Sequence, residues 1–365
     1  MPRILFVAAH RPGRSPSQRY RFEQFAPYWE QHGFTHEYAS LIDAEDDKKF
    51  YSPGNLSAKA GIFLKSWRRR TEQVRSAKDY DLILVQREAF MTGSIRFERA
   101  LAACGVTLIF DFDDAIWHMD VSEGNRKLRW LKDPSKTARI IELADLVIGG
   151  NDYLADFARR YNANVEVIPT VIDTERYRPQ MRTAPRTGPV VIGWTGSHTS
   201  MAHLVQELPM LRALHAQWGD RIVLRVISDR DLVVPGLPIE NIRWNSATEA
   251  EDLAGIDIGI MPLPDDEWSR GKCGFKGLQY MGMAKPVVLS RVGVNKVIVK
   301  EGQNGFLAGT TDEWITKLGQ LIADADLRDR MGQAARRTVE EQYSVPGWRD
   351  RYLELFHTLI ATKRA

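Results

Sequence analysis

The chain has 365 residues, of which 44% are hydrophobic and 27% charged, and a formal net charge of +3. That length exceeds one ordinary core and asks for about two domains, while the composition is that of a globular protein rather than a fibrous or disordered one. So small a charge gives no reason to expect a nucleic-acid partner, and two cysteines, Cys104 and Cys273, supply neither a disulfide framework nor a zinc cluster; a reducing, cytoplasmic setting is the expectation.

The first ten residues, MPRILFVAAH, hold an apolar run too short for a signal peptide or a membrane span. It reads as a buried first strand. Short apolar runs then alternate with longer amphipathic segments, the pattern of α/β domains with parallel sheets. Strands are expected at residues 4–8, 82–86, 107–111, 146–150 and 165–169, with helices at 18–31 and 153–161 between them. The pattern restarts with strands at 190–195, 222–227, 256–261, 286–290 and 305–307. Residues 178–189 are rich in Pro, Thr and Arg and lack periodicity, as a linker would. The expectation is therefore two doubly wound domains facing a central cleft. The first covers 1–178 and the second 190–345, joined by a linker at 179–189, with a last helix at 346–365 packing back on the first domain.

In open parallel sheets, ligands bind beyond the carboxyl ends of the strands. In the first half that rule selects the loop holding Arg11, Arg14, Arg19 and Arg21, then Arg87 and Glu88, Asp111-Phe-Asp-Asp114, and Asn151. Three roles stay open for the aspartates: holding a divalent metal, accepting hydrogen bonds from sugar hydroxyls, or pairing with a cation inside the fold. In the second half, Gly196 permits a tight turn, and Ser197 or Thr199 can cap the helix that follows. Pro209 is expected to divide that helical segment.

The turn Gly271-Lys-Cys-Gly-Phe-Lys276 runs into an apolar helix. Gly274 lets the backbone approach a ligand, Lys272 and Lys276 bring compact positive charge, and the helix start offers free N–H groups. Together they read as a cradle for an anion such as phosphate, against the plainer reading of a solvated basic loop. Lys59, Lys65, Arg68, Arg69, Arg70, Arg75 and Lys78 form the strongest charge asymmetry, opposed only by Glu72 and interleaved with Ile62, Phe63, Leu64 and Trp67. This segment is either a solvated helix face or an element resting on an anionic membrane surface.

With both halves in view, Gln279-Tyr-Met-Gly-Met-Ala-Lys-Pro-Val-Val288 resembles the E-A-M-A-x-G-x-P-V-V segment of retaining GT-B glycosyltransferases, the family that includes sucrose synthases and many mannosyltransferases. Ile256-Asp-Ile-Gly-Ile-Met-Pro-Leu263 is similar to the strand that introduces it there. Val167-Ile-Pro-Thr-Val-Ile-Asp-Thr-Glu-Arg-Tyr177 and Gly302-Gln-Asn-Gly-Phe-Leu307 resemble that family's V-I-P-N-G-V-D crossing and G-x-x-G-F-L turn.

The resemblance implies transfer of a sugar from a nucleotide sugar, with retention and without a metal or other cofactor. The acceptor would be a glycan or a polyprenyl-linked molecule in surface polysaccharide or glycoconjugate synthesis, reached at the inner face of a membrane. Lys272, Lys276, Asp113 and Asp114 would be the catalytic groups. Gly196, Ser197, His198, Arg270, Gly274, Phe275 and Gln279 would hold the donor, and Arg14, Arg19, Arg87 and Glu88 the acceptor. Two departures matter. The family's paired glutamates are Gly271 and Gln279 here, and its basic pair after the first strand of the second domain is replaced by Gly196-Ser-His198. A nucleotide-sugar epimerase of the same architecture and a catalytically silent binding relative therefore stay open.

Overall fold

The computed structural model describes residues 1–52, 54–118, 132–179 and 188–364. It divides into two compact units, Met1–Thr170 with Trp348–Ala365, and Val171–Gly347. The division falls before the expected linker, and most of that linker, residues 180–187, lies outside the described residues.

In the first unit the apolar runs become β1 (Arg3–His10), β3 (Leu82–Gln86), β4 (Thr107–Phe112), β5 (Leu146–Gly149) and β6 (Val165–Val167). With β2 (Thr35–Ile42) they form a parallel six-stranded sheet in the order β2-β1-β3-β4-β5-β6. Every residue of β3 and β4 is buried, because helices cover both faces of the sheet. The sequence shows these strands as continuous apolar runs for the same reason. β2 was not expected. It is an edge strand with alternating exposed and half-buried residues in its first half, and its polar composition hides it.

The expected helix over 18–31 is broken into Pro16–Arg21, a 3₁₀ turn Glu23–Phe25, and Ala26–Gln31. Phe22 leaves helical geometry at φ −143°, and Pro27 occupies the first turn of the last piece. The break turns Phe25 and Trp29 toward the end of the chain. There the helix Val345–Arg364 supplies Tyr352, 4.8 Å from Phe25, and Phe356, 5.1 Å from Trp29. The Tyr352 hydroxyl donates to the Arg21 carbonyl at 3.0 Å. Buried aromatics are among the largest single contributors of apolar area, so these rings fasten the last helix to the first unit.

The second unit repeats the plan with β7 (Val190–Thr195), β8 (Ile222–Ser228), β9 (Ile239–Arg243), β10 (Ile258–Met261), β11 (Val287–Ser290) and β12 (Phe306–Ala308), in the order β12-β11-β10-β7-β8-β9. All pairings are parallel. β9, the other strand not expected from sequence, is again a polar edge. One layer of the core joins Trp194 and Ile258 to Leu204, Leu214, Trp314 and Leu318 from the covering helices. Pro209 lies in the first turn of Leu208–Trp218, which follows His198–Gln206 after Glu207.

Candidate active site

In the second unit, β7 delivers the chain to Gly196. A Cβ there would stand 2.6 Å from Ser200 Oγ and 2.7 Å from the Trp194 ring, so only glycine fits. Gly274 begins the helix Phe275–Gly282 at φ 67°, a left-handed conformation that favours glycine, and a Cβ on it would meet Ile298 at 2.3 Å. This turn sets the two lysines. Lys276 Nζ lies 5.2 Å from the centre of the Trp194 ring, and Lys272 Nζ lies 4.8 Å from that of Trp268. An ammonium over an indole is attracted by the ring quadrupole.

Both lysines act on His203, in the helix His198–Gln206. Burial first, then the charges of Lys276 and Lys272, hold its imidazole below the usual histidine range, with Asp266 opposing them. His203 Nδ1 is buried without a hydrogen-bond partner. The site thus combines two ammonium groups and two close-packed glycine turns.

The strand ends of the first unit carry a different chemistry. Arg87 stands just past β3 with a left-handed backbone at φ 64°, a conformation that strains a residue with a side chain. Its guanidinium donates to Asp113 Oδ1 at 2.8 and 2.9 Å, to Ser17 Oγ at 2.7 Å, and to Asp114. Glu88 accepts from Lys132 at 2.8 Å and Lys136 at 3.1 Å. Burial pushes the Glu88 carboxyl up, and the two ammonium groups outweigh it and hold it below the usual carboxylate range. Arg14 and Arg11 share Asp47 at 2.7 and 3.0 Å. Among the described residues no three His, Cys, Asp or Glu side chains converge as a metal site requires.

Residues 190–324 match the family model described as "Glycosyl transferases group 1". The chain carries a glycosyl transferases group 1 domain. D-inositol 3-phosphate glycosyltransferase of Corynebacterium jeikeium is 25% identical, over 54% of this chain and 54% of the relative. The chain thus spans about half the length of that curated relative. Trehalose synthase of Thermococcus litoralis is 29% identical over 23% of this chain and 21% of its own.

Among solved structures, sucrose-phosphate synthase from Thermosynechococcus elongatus superposes with a TM-score of 0.70 at 13% identity, covering 99% of this chain and 100% of that one. Anabaena HepE in complex with UDP-glucose gives 0.65 at 15% identity, covering 98% and 99%. At such identities the likeness establishes the fold, which is GT-B, as the sequence resemblance implied.

Within the group 1 domain the structure corrects several expectations. Gln279 does not reach a ligand: it is 1% exposed, and its Nε2 donates to Tyr177 Oη at 3.0 Å and Glu249 Oε1 at 3.1 Å. A neutral amide there joins two buried acceptors where a glutamate would add a second buried charge. Neither Ser197 nor Thr199 caps its helix; their hydroxyls meet each other at 2.8 Å. The cap comes from Asp229, beyond β8, which accepts from His198 N at 2.6 Å and pairs with His198 Nδ1 at 2.5 Å. A carboxylate suits a helix N-terminus, so part of the expected backbone cradle is already occupied. Arg270 sits at the exposed edge, its Nε donating to Asp265 at 2.8 Å, and Phe275 is half-buried at the helix start.

Corrections in the first unit follow the same logic. Asp111 serves the fold: it pairs with Arg21 at 2.5 Å, both side chains within 2% of full burial. Arg19 is only 8% exposed and lies against Tyr20, which withdraws it from an acceptor. Arg70 is fully buried and donates to the carbonyls of Ala8, Ala39 and Ala89. Phe63 and Trp67 pack on Phe90 at 5.2 and 5.4 Å, so these rings of the helix Leu56–Ser76 face inward. Arg68, Arg75 and Lys78 remain exposed. His203, Trp194, Trp268 and Asp229 were not singled out from sequence, since nothing local marks a histidine within a helix or a tryptophan within a strand.

Proposed function

We propose that this chain is a glycosyltransferase that moves a sugar from a nucleoside-diphosphate sugar to a glycan or polyprenyl-linked acceptor in surface polysaccharide or glycoconjugate synthesis. The observation that carries this reading is the pair Lys272 and Lys276, fixed over Trp268 and Trp194 by the Gly274 turn inside the group 1 domain. Breaking the bond between sugar and phosphate develops negative charge on the departing diphosphate. Preorganised ammonium groups stabilise that charge more in the transition state than in the ground state. Two lysines supply this stabilisation without a metal ion. The solved complex of HepE with UDP-glucose supports the donor class.

In this reading the anomeric configuration is retained, with the acceptor oxygen entering on the face the diphosphate leaves. A diphosphate oxygen then takes the acceptor proton, so no side chain has to act as base. Asp113 and Asp114, held by Arg87, present carboxylate oxygens to sugar hydroxyls. A second reading, a relative that binds nucleotide sugars without turnover, is favoured by Gly271 and the buried Gln279 in the two glutamate positions. Contact with an anionic membrane surface would rest on Arg68, Arg75 and Lys78, since the exposed Lys65 is paired with Asp43 and Asp46. No helix among the described residues is long and apolar enough to cross a membrane.

The test is release of nucleoside diphosphate from UDP-glucose, GDP-mannose or ADP-glucose, with and without a chelator, together with the thermal shift each produces. Turnover that survives chelation supports the proposal. Stabilisation without turnover supports the binding-only reading, and neither effect overturns both.

A further inference from the structure

We infer that Arg11 and Arg14, at the carboxyl end of β1, form an anion site of the first unit that receives a phosphoryl group of the acceptor. The inference deepens the proposed function. It rests on the first unit holding the acceptor, and it names that acceptor's chemical class as a phosphate ester.

Hydrogen bonds fix the placement. β1 ends at His10, and the loop beyond it enters the helix Pro16–Arg21. Gln18, 1% exposed, grips the strand end: its Oε1 accepts from His10 N at 3.1 Å, and its Nε2 donates to the His10 carbonyl at 2.9 Å. The helix Ala44–Tyr51 carries Asp47 and Tyr51 one turn apart. Tyr51 Oη lies 3.3 Å from His10 Nε2. Arg11 Nη1 and Arg14 Nε both donate to the same atom, Asp47 Oδ2, at 3.0 and 2.7 Å. One carboxylate oxygen thus gathers two guanidinium groups beside the end of the strand.

Asp47 holds these cations without matching their charge. Its side chain is 8% exposed, whereas those of Arg11 and Arg14 are 38% and 44% exposed. Burial pushes the Asp47 carboxyl up, and the Arg14 and Arg11 guanidinium groups outweigh it and keep the group ionised. Its other oxygen is buried and meets no donor among the described residues. One carboxylate against two guanidinium groups leaves one positive charge in excess. Glu23, the other carboxylate bound to this loop, accepts from Gly13 N at 2.8 Å. Each guanidinium carries five N–H donors in a planar fork and gives Asp47 only one nitrogen, so the others have no protein acceptor among the described residues. Such forks match the several oxygens of a phosphate better than a lone hydroxyl. The carboxyl ends of strands are also where open parallel sheets bind their ligands.

The neighbouring polar groups show how one acceptor fits. Three residues beyond Arg14, Ser17 Oγ accepts from Arg87 at 2.7 Å, and Arg87 holds Asp113 and Asp114. The α-carbons of Arg14 and Ser17 are at most about 11 Å apart. A small phosphate ester spans such a distance, with hydroxyls at the aspartates and its phosphoryl group at the arginines.

The measurement is titration calorimetry on the full chain with glucose 6-phosphate, farnesyl diphosphate, inorganic phosphate and glucose. One of the two esters should bind at least about tenfold more tightly than inorganic phosphate, and glucose should not bind at the same concentrations. The tighter ester distinguishes a soluble sugar phosphate from a prenyl-linked acceptor. Arg11→Lys and Arg14→Lys keep the charge beside Asp47 and lose the fork. Each should keep the melting temperature and weaken that ester about tenfold. Asp47→Asn removes the competing carboxylate and should strengthen binding about three- to tenfold, which a purely structural ion pair would not do. Inorganic phosphate binding as tightly as both esters means an adventitious ion only and overturns the inference. It is equally overturned if neither ester binds, if the three substitutions leave the affinity unmoved, or if Lys276→Ala abolishes ester binding, which puts the phosphate in the second unit. UDP-glucose, GDP-mannose and ADP-glucose are titrated alongside. If none of them binds while an ester still does, the proposed transferase falls and the anion site stands.

Discussion

At the carboxyl end of the first sheet, Asp111 meets Arg21, Asp113 and Asp114 meet Arg87, and Glu88 meets Lys132 and Lys136. At the corresponding end of the second sheet, Lys272 and Lys276 lie over tryptophan rings. The two edges differ in the groups that hold each charge. Carboxylates held by guanidinium and ammonium groups form a rigid polar rim suited to hydroxyl groups. Two ammonium groups over indole rings beside a glycine turn gather positive charge at one place, which suits a diphosphate. Similar sheets thus carry chemically different rims, one of carboxylates with their cations and one of lysines over tryptophans.

The largest expected effect breaks the first rim. Asp111→Asn should remove the carboxylate charge that pairs with buried Arg21 and destabilise the first unit by about 3–5 kcal/mol. Hydrogen exchange checks this: protection should fall in β3, β4 and β5 and hold in β7, β8 and β10. Equal loss in both sheets would mean that the pair supports more than its own unit.

Lys276→Ala tests the second rim. Turnover should fall by about 10²-fold, comparable to removing one preorganised donor from a transition state, with weaker binding of nucleoside diphosphate. The melting temperature should change little. An unchanged rate removes Lys276 from the site.

Acid sensitivity sharpens the contrast again. Burial, then the Arg14 guanidinium, pushes His10 in the first unit down to about 4. The unfolded chain therefore binds this proton first, and the sign follows. The stability is fully present above about pH 6.5 and is lost as pH falls toward about 4, a change on the order of 3 kcal/mol. Denaturation midpoints across that range should converge between wild type and His10→Gln at neutral pH and separate in acid, with the variant less sensitive.

The smallest effect concerns Ala284, which ends the helix Phe275–Gly282 with φ 55°. The family segment has glycine at this position. Ala284→Gly should stabilise the second unit by about 1 kcal/mol, because a side chain is disfavoured in the left-handed region. A thermal melt that does not rise contradicts that assignment of strain.

The sequence by itself determined the α/β class, the central strands and the resemblance to GT-B glycosyltransferases. Buried parallel strands such as Leu82–Gln86 and Val287–Ser290 must be apolar along their whole length, so their positions are written locally. The glycine turn before Phe275 is equally local, since its conformation constrains the residue type. The polar edges β2 and β9 escaped because an edge strand is specified by its neighbour more than by its own residues. Tertiary structure alone decided the fate of each charge. Arg70 and Arg68 stand two residues apart in one basic run, yet one is sealed among three backbone carbonyls and the other exposed. Gln279 turned inward to Tyr177, over a hundred positions away, and His203 was brought under the field of Lys272 and Lys276. Charge acts through space at distances that chain order does not record, so the residues that give each rim its character become visible only when the chain has folded.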